Sequence, residues 1–156
     1  GKRVLDYLNM VNDQNHQISV KLSAKMDKTA QAVERLQEEN FRLKGQVGQM
    51  VDDMCQKEAE RYAGSGSVLI FMDGMDSDSV RRLADAVTQT CQGCCAVFSR
   101  NADGSFKYAM GEKDGDLRQF TKEMNAKLNG RGGGKPFFVQ GSVQATEEEI
   151  RRFFEQ

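Results

Sequence analysis

The sequence lacks an excess of charge of either sign: 22 basic residues face 23 acidic ones, for a formal net charge of −1. No global field therefore draws the protein onto nucleic acid or an anionic membrane, and any polyanion site has to be local. It also lacks an apolar run near the roughly 20 residues a membrane span needs, and it does not open on a basic segment followed by an apolar one. These absences predict a soluble, cytoplasmic protein with no membrane partner. Histidine is nearly absent. With His16 alone, in a helical segment, neither a Ser/His/Asp nor a Cys/His arrangement can be assembled in the globular part. Four cysteines remain, Cys55, Cys91, Cys94 and Cys95, and Cys91-x-x-Cys94 has knuckle-like spacing. No second knuckle follows, and Cys94 and Cys95 sit inside the apolar run Cys94–Phe98, where cysteine acts as a small buried hydrophobe. The cysteines are read as buried free thiols, and no metal site is assigned.

What the chain does contain is helical periodicity over its first 60 or so residues. Val4, Leu5, Leu8, Val11, Ile18 and Leu22 recur at helical spacing from Lys2 to about Leu22. The pattern loosens near Ser23–Lys28, where Ser23 or Asp27 is a candidate cap for a second helix. That helix runs to about Tyr62 with a 3-4 alternation at Val33, Leu36, Asn40, Leu43, Val47, Met50 and Met54. About 34 residues at 1.5 Å rise give a rod on the order of 50 Å long, far longer than a small domain can cover. Part of the seam must meet another helix, either within an antiparallel hairpin or in a partner chain. Val33, Leu36, Asn40, Leu43, Val47 and Met50 are the candidate dimerisation positions; Asn40 either pairs with its equivalent or faces solvent.

Gly64-Ser65-Gly66-Ser67 breaks this pattern and sets the expected boundary between a helical segment, 1–63, and a globular domain, 64–156. Val68–Met72 reads as a buried strand, and Asp76–Cys91 as a helix with Val80, Leu83, Ala84 and Val87 on one face. Cys94–Arg100 and Ser105–Met110 flank Asn101-Ala102-Asp103-Gly104, whose Asp-Gly supplies the positive φ of a tight hairpin. Asp116–Asn129 is helical, Phe137–Val143 a strand, and a last helix starts at about Thr146, its cap. The order β-α-β-β-α-β-α predicts an α+β fold with a mixed sheet and helices packed on it.

The most unusual local sequence is Gly130-Arg131-Gly132-Gly133-Gly134-Lys135-Pro136, read as a loop. Glycines expose backbone N–H groups with no side chain between them and a ligand. It is not a Walker loop: only three residues separate Gly130 from Gly134, Pro136 stands where a hydroxyl would hold magnesium, and a helix precedes it. Arg100–Lys135 carries eight basic residues (Arg100, Lys107, Lys113, Arg118, Lys122, Lys127, Arg131, Lys135) and five acidic ones (Asp103, Glu112, Asp114, Asp116, Glu123). Arg118, Lys122, Lys127, Arg131 and Lys135 form a stripe able to track a phosphodiester backbone by displacing its counterions. A flexible connector beside a solvated helix face is the competing reading. Asp73, Asp76 and Asp78 cluster after the first strand without the order of a calcium loop, and helix capping accounts for most of them.

Gly132-Gly133-Gly134-Lys135-Pro136, followed by Gln140-Gly141, resembles the signature of the DHH-associated domain in the C-terminal region of alanyl-tRNA synthetases and of free-standing alanyl-tRNA editing proteins of the AlaX type. The opening Gly1-Lys2-Arg3-Val4-Leu5-Asp6-Tyr7 is similar to the stretch following the last zinc-ligand region of that family's editing domain. Phe137-Phe138 depart from the family, which more often has smaller or polar residues there. The resemblance implies a non-catalytic fragment of an aminoacyl-tRNA deacylase or ligase, with zinc confined to an editing domain outside it and no cofactor here. It implies dimerisation through the helices and tRNA contact through Arg118, Lys122, Lys127, Arg131, Gly132, Gly133, Gly134, Lys135, Gln140 and Gly141. The Asp-His-His motif of the associated phosphoesterases is absent, so nuclease activity is not implied. The rival function is an interaction scaffold without RNA affinity; weaker still is a metal-dependent phosphate-ester enzyme built on the three aspartates.

Overall fold

The computed structural model describes residues 1–156 and divides into two compact units, Gly1–Gln49 and Met50–Gln156. In the first, helix α1 (Lys2–Lys21) ends where Ser23 adopts a left-handed φ of 49°. A single 3-10 turn, Met26–Lys28, leads into α2 (Thr29–Arg61). Thr29 Oγ1 donates to Asn15 Oδ1 at 3.4 Å, so the chain reverses there. Ser23 thus turns the chain instead of capping α2, and Asp27 lies in the 3-10 turn. Unit one has almost no interior. α1 buries none of its side chains, and Val33, Leu36, Leu43 and Val47 of α2 are all exposed.

The second unit is an α+β fold, as the periodicities predict. Five strands, β1 (Val68–Asp73), β2 (Cys95–Arg100), β3 (Phe106–Gly111), β4 (Gly130–Lys135) and β5 (Phe138–Val143), form one sheet in the order β1-β2-β3-β5-β4. β1 and β2 are parallel, joined through α3 (Ser77–Thr88), and every other pairing is antiparallel. Alternation along the strands divides the core into two clusters. Val68, Ile70, Cys95, Val97 and Ala109 pack with α3 and with Cys55 near the end of α2, joined by the partly buried Val51 and Met54. Ala96, Phe98, Phe106, Tyr108, Met110, Val139 and Val143 pack with α4 (Arg118–Lys127) and α5 (Glu147–Phe154).

Local chemistry sets the element ends. Asp76 caps α3 by accepting from Ser79 N at 2.7 Å, and Thr146 and Glu149 form a reciprocal capping box on α5. Gly104, with φ 86°, closes the β2–β3 turn, where Asp103 accepts from both the amide and the hydroxyl of Ser105. One element differs from expectation: Gly130–Lys135 is an edge strand, not a loop, so a strand precedes Phe138–Val143. Glycine disfavours strands, and only pairing with β5 and packing under α4 hold this segment extended.

Candidate nucleic-acid interface

The glycines of β4 and β5 follow from one side chain. Tyr108, Gly141 and Gly132 stand on one rung across β3, β5 and β4. A Cβ on Gly132 would lie 2.5 Å from the Tyr108 hydroxyl and 2.4 Å from Gln140 O; one on Gly141 would lie 2.8 Å from that hydroxyl and 2.1 Å from Arg131 O. The phenol therefore extends over two residues without side chains and donates to Asn125 Oδ1 on α4 at 3.1 Å. Asn125 Nδ2 in turn approaches Gly132 O at 3.5 Å. Burial pushes the Tyr108 hydroxyl pKa up, and the Asn125 bond opposes that shift. Gly132 takes a φ of 152°, whereas a Cβ on Gly133 would meet nothing within 4 Å and would face solvent.

This arrangement leaves a cleft of about 320 Å³ between α4 and the β4 edge, lined by Arg118, Thr121, Lys122, Asn125, Gly132, Gly133, Gly134 and Val139. The approach of Gly132 to Gln140 O and of Gly141 to Arg131 O is that of a non-hydrogen-bonded antiparallel pair. Gly132 and Gly134 consequently turn their amides away from β5, toward the free edge. Thr121, 3% exposed, lines the same cleft, and its Oγ1 is buried without a hydrogen-bond partner. Two donor-rich surfaces and an unanswered hydroxyl meet there. Arg118 is less available than its charge suggests, because its guanidinium holds Asp116 at 2.6 and 2.9 Å. That hydrogen bond lowers the Asp116 carboxyl to about 2. Lys122 enters no ion pair.

The cleft gathers Arg118, Lys122 and Gly132–Gly134, but not the whole predicted set. Lys127, at the far end of α4, donates to Gln156 at 3.1 Å and lies over the Phe153 ring. Arg131 pairs with Ser142, Gly133 with Gln140 and Lys135 with Phe138, so strand alternation sends Arg131, Lys135 and Gln140 to the face away from α4. Lys135 sits 5.8 Å from the ring of Phe137, which is 49% exposed. Sequence reasoning missed Tyr108, Thr121 and Asn125. The 108–141–132 rung carries no local signal, because it joins residues far apart in the chain.

Other candidates hold no comparable chemistry. Asp76 is a helix cap, Asp78 pairs with Arg81, and Asp73 faces Arg100 at 3.6 Å. No group of three or more His, Cys, Asp or Glu side chains converges. All four cysteines are free; Cys55, Cys91 and Cys95 are buried, and burial pushes the Cys94 thiol to about 12. A larger cavity of about 500 Å³ lies between β1, α4 and α5, lined by Leu69, Leu117, Phe120 and Phe154 among others. Its one cation, Arg151, is paired with Glu147 and lies over Phe71, so it does not suit a polyanion. No helix is long and apolar enough to cross a membrane.

Residues 65–156, from the Gly-Ser linker through the glycine strand to the last helix, match the DHHA1 domain family. The chain belongs to the DHHA1 domain family. It is similar to alanine-tRNA ligases. The enzyme of Acholeplasma laidlawii is 29% identical over 79 residues, 51% of this chain and 9% of the ligase. That of Psychrobacter sp. is 21% identical over 160 residues, 95% of this chain and 18% of the ligase. The chain thus spans less than a fifth of the length of either ligase. In fold it resembles the crystallised C-Ala domain of Aquifex aeolicus alanyl-tRNA synthetase, with a TM-score of 0.50 at 21% identity over 60% of this chain and 92% of that domain. The DHHA1 match, the ligases and this fold together make it a C-terminal region of the alanyl-tRNA synthetase type.

Proposed function

We propose that this DHHA1 region is a tRNA-binding and self-associating module of an alanyl-tRNA synthetase-like editing protein or ligase, working without a catalytic group or cofactor of its own. The observation that carries the reading is the cleft between α4 and β4. There Lys122 and the outward amides of the glycine edge converge, a donor set suited to phosphate oxygens. The exposed Val33, Leu36, Leu43, Val47 and Met50, with Asn40 among them, supply an apolar stripe for a second copy of the chain.

Fluorescence-anisotropy titration of labelled tRNA across a salt series tests the first part. Affinity is expected to fall steeply with salt, and to weaken when Lys122 of the cleft is changed to methionine. No tRNA binding at low salt would leave the interaction-scaffold reading in its place, and binding that ignores both salt and substitution would remove the cleft as the phosphate site. Light scattering, compared with a Leu36→Asp, Leu43→Asp variant, tests the second; a wild-type monomer at high concentration would overturn it.

A further inference from the structure

The sheet has a second cationic surface, on which Arg131 and Lys135 of the stripe read from sequence are joined by Lys107, which that stripe does not include. Lys107, Ser142 and Arg131 occupy one rung of β3, β5 and β4; Ala109, Gln140 and Gly133 the next on that face; Gly111, Phe138 and Lys135 the third. Helix α3 covers Ala109 and reaches Gly111 through Thr88, but nothing covers β4 on this side, where Arg131, Gly133, Lys135 and Gln140 are exposed. No carboxylate stands on these three rungs. None of the three cations is in a salt bridge, unlike Arg118; Lys107 lies close enough to Asp76, the α3 cap, to help lower its carboxyl pKa. At about 4.8 Å per strand and 3.4 Å per residue, the cations span a triangle of about 10 by 14 Å. A cleft of about 390 Å³, lined by Asn101, Lys107, Gln140 and Ser142 on this side and by Ser77 and Val80 of α3, deepens the face.

We propose that this open face is a second phosphate-contacting surface, and that the protein grips a folded RNA from both sides of the β4 edge. The inference rests on the tRNA-binding reading and deepens it. The α4 cleft and the open face point in opposite directions from a strand one residue thick. A straight duplex can press on one of them, whereas an RNA whose backbone turns around the edge reaches both. Specificity for folded RNA then comes from shape, since phosphate contacts carry no sequence information.

The test is anisotropy titration of the full chain with tRNA and with a straight RNA duplex of equal phosphate number, over a salt series. Variants are Lys107→Met, which keeps the aliphatic stem, Arg131→Met with Lys135→Met at exposed positions, the triple combination, and Lys122→Met for the cleft. Circular dichroism melting verifies that each folds. The wild type is expected to bind tRNA at least tenfold more tightly than duplex. The triple variant is expected to lower the log K versus log salt slope for tRNA by two to three, at about 0.9 per phosphate contact. Lys122→Met is expected to weaken tRNA further in that background. A triple variant with an unchanged tRNA slope, while Lys122→Met lowers it, would overturn the second surface and leave the cleft standing. Equal wild-type affinity and slope for tRNA and duplex would overturn the two-sided grip. A wild type that binds neither RNA removes the tRNA-binding reading itself, and this inference with it.

Discussion

Substituting alanine at Gly132 and at Gly133, neighbours in one strand, should have opposite outcomes. At Gly132 a methyl group meets Gln140 O at 2.4 Å, the Tyr108 hydroxyl at 2.5 Å and Gly141 Cα at 2.6 Å, on a backbone with φ 152°. Two of those obstacles are backbone atoms of the paired strand, which cannot swing aside. Holding a side chain in a glycine-only conformation costs about 1–3 kcal/mol. Displacing the phenol breaks the Tyr108–Asn125 hydrogen bond between two largely enclosed groups, worth about 1 kcal/mol. Gly132→Ala should therefore destabilise the globular unit by roughly 2–4 kcal/mol. At about 4 °C per kcal/mol for a unit of this size, Tm falls by roughly 8–16 °C. At Gly133 no atom lies within 4 Å and φ is ordinary, so Gly133→Ala should stay within about 0.5 kcal/mol of wild type. Scanning calorimetry on both variants, with urea unfolding as a second measure, decides the matter. If Gly132→Ala melts within 2 °C of Gly133→Ala, on the same ~4 °C per kcal/mol scale, the idea that Tyr108 dictates the glycines is wrong.

Further perturbations probe other links. Thr121→Val replaces a buried, unpartnered hydroxyl by a methyl of equal size and should raise stability by up to about 1 kcal/mol in urea unfolding; a loss would mean the hydroxyl has a partner. Asp76→Ala should cost about 1 kcal/mol as a lost helix cap. Because the Ser79 hydrogen bonds lower the Asp76 pKa, this contribution is present above the ordinary carboxylate range and lost as pH falls through the folded value. The difference between wild type and variant should therefore vanish in acid, and a gap persisting there would contradict the cap. Since Cys55 and Cys95 are buried and burial raises the pKa of both, these thiols should react with a disulfide reagent at pH 8 only at the rate of unfolding.

Much of the fold was legible because it depends on short-range rules. Helix α3 announced itself through Val80, Leu83, Ala84 and Val87 and the Asp76 cap; the β2–β3 turn through Asp103-Gly104; α5 through Thr146. The glycine segment was misread as a loop because propensity sees only the absence of side chains. What makes 130–135 a strand is its pairing with β5 and its packing under α4, and what makes Gly132 and Gly141 glycines is Tyr108, distant in the chain, lying across the rung. Of the site, the residue types were readable and their grouping was not. Arg118 and Lys122 share a helix face and stayed together. Arg131 and Lys135 belong to the opposite side of the sheet, beside a lysine, Lys107, that the charge stripe had passed over.

By itself, then, the sequence determined the long helices, the caps of α3 and α5, the β2–β3 turn and the family, because each is encoded in neighbours a few residues apart. Only the tertiary structure decided that the glycines form an edge strand, that Thr121 and Asn125 join them, and that the basic residues divide between two faces. The reason is register: a strand's partner fixes which side each of its residues faces, and that partner lies elsewhere in the chain.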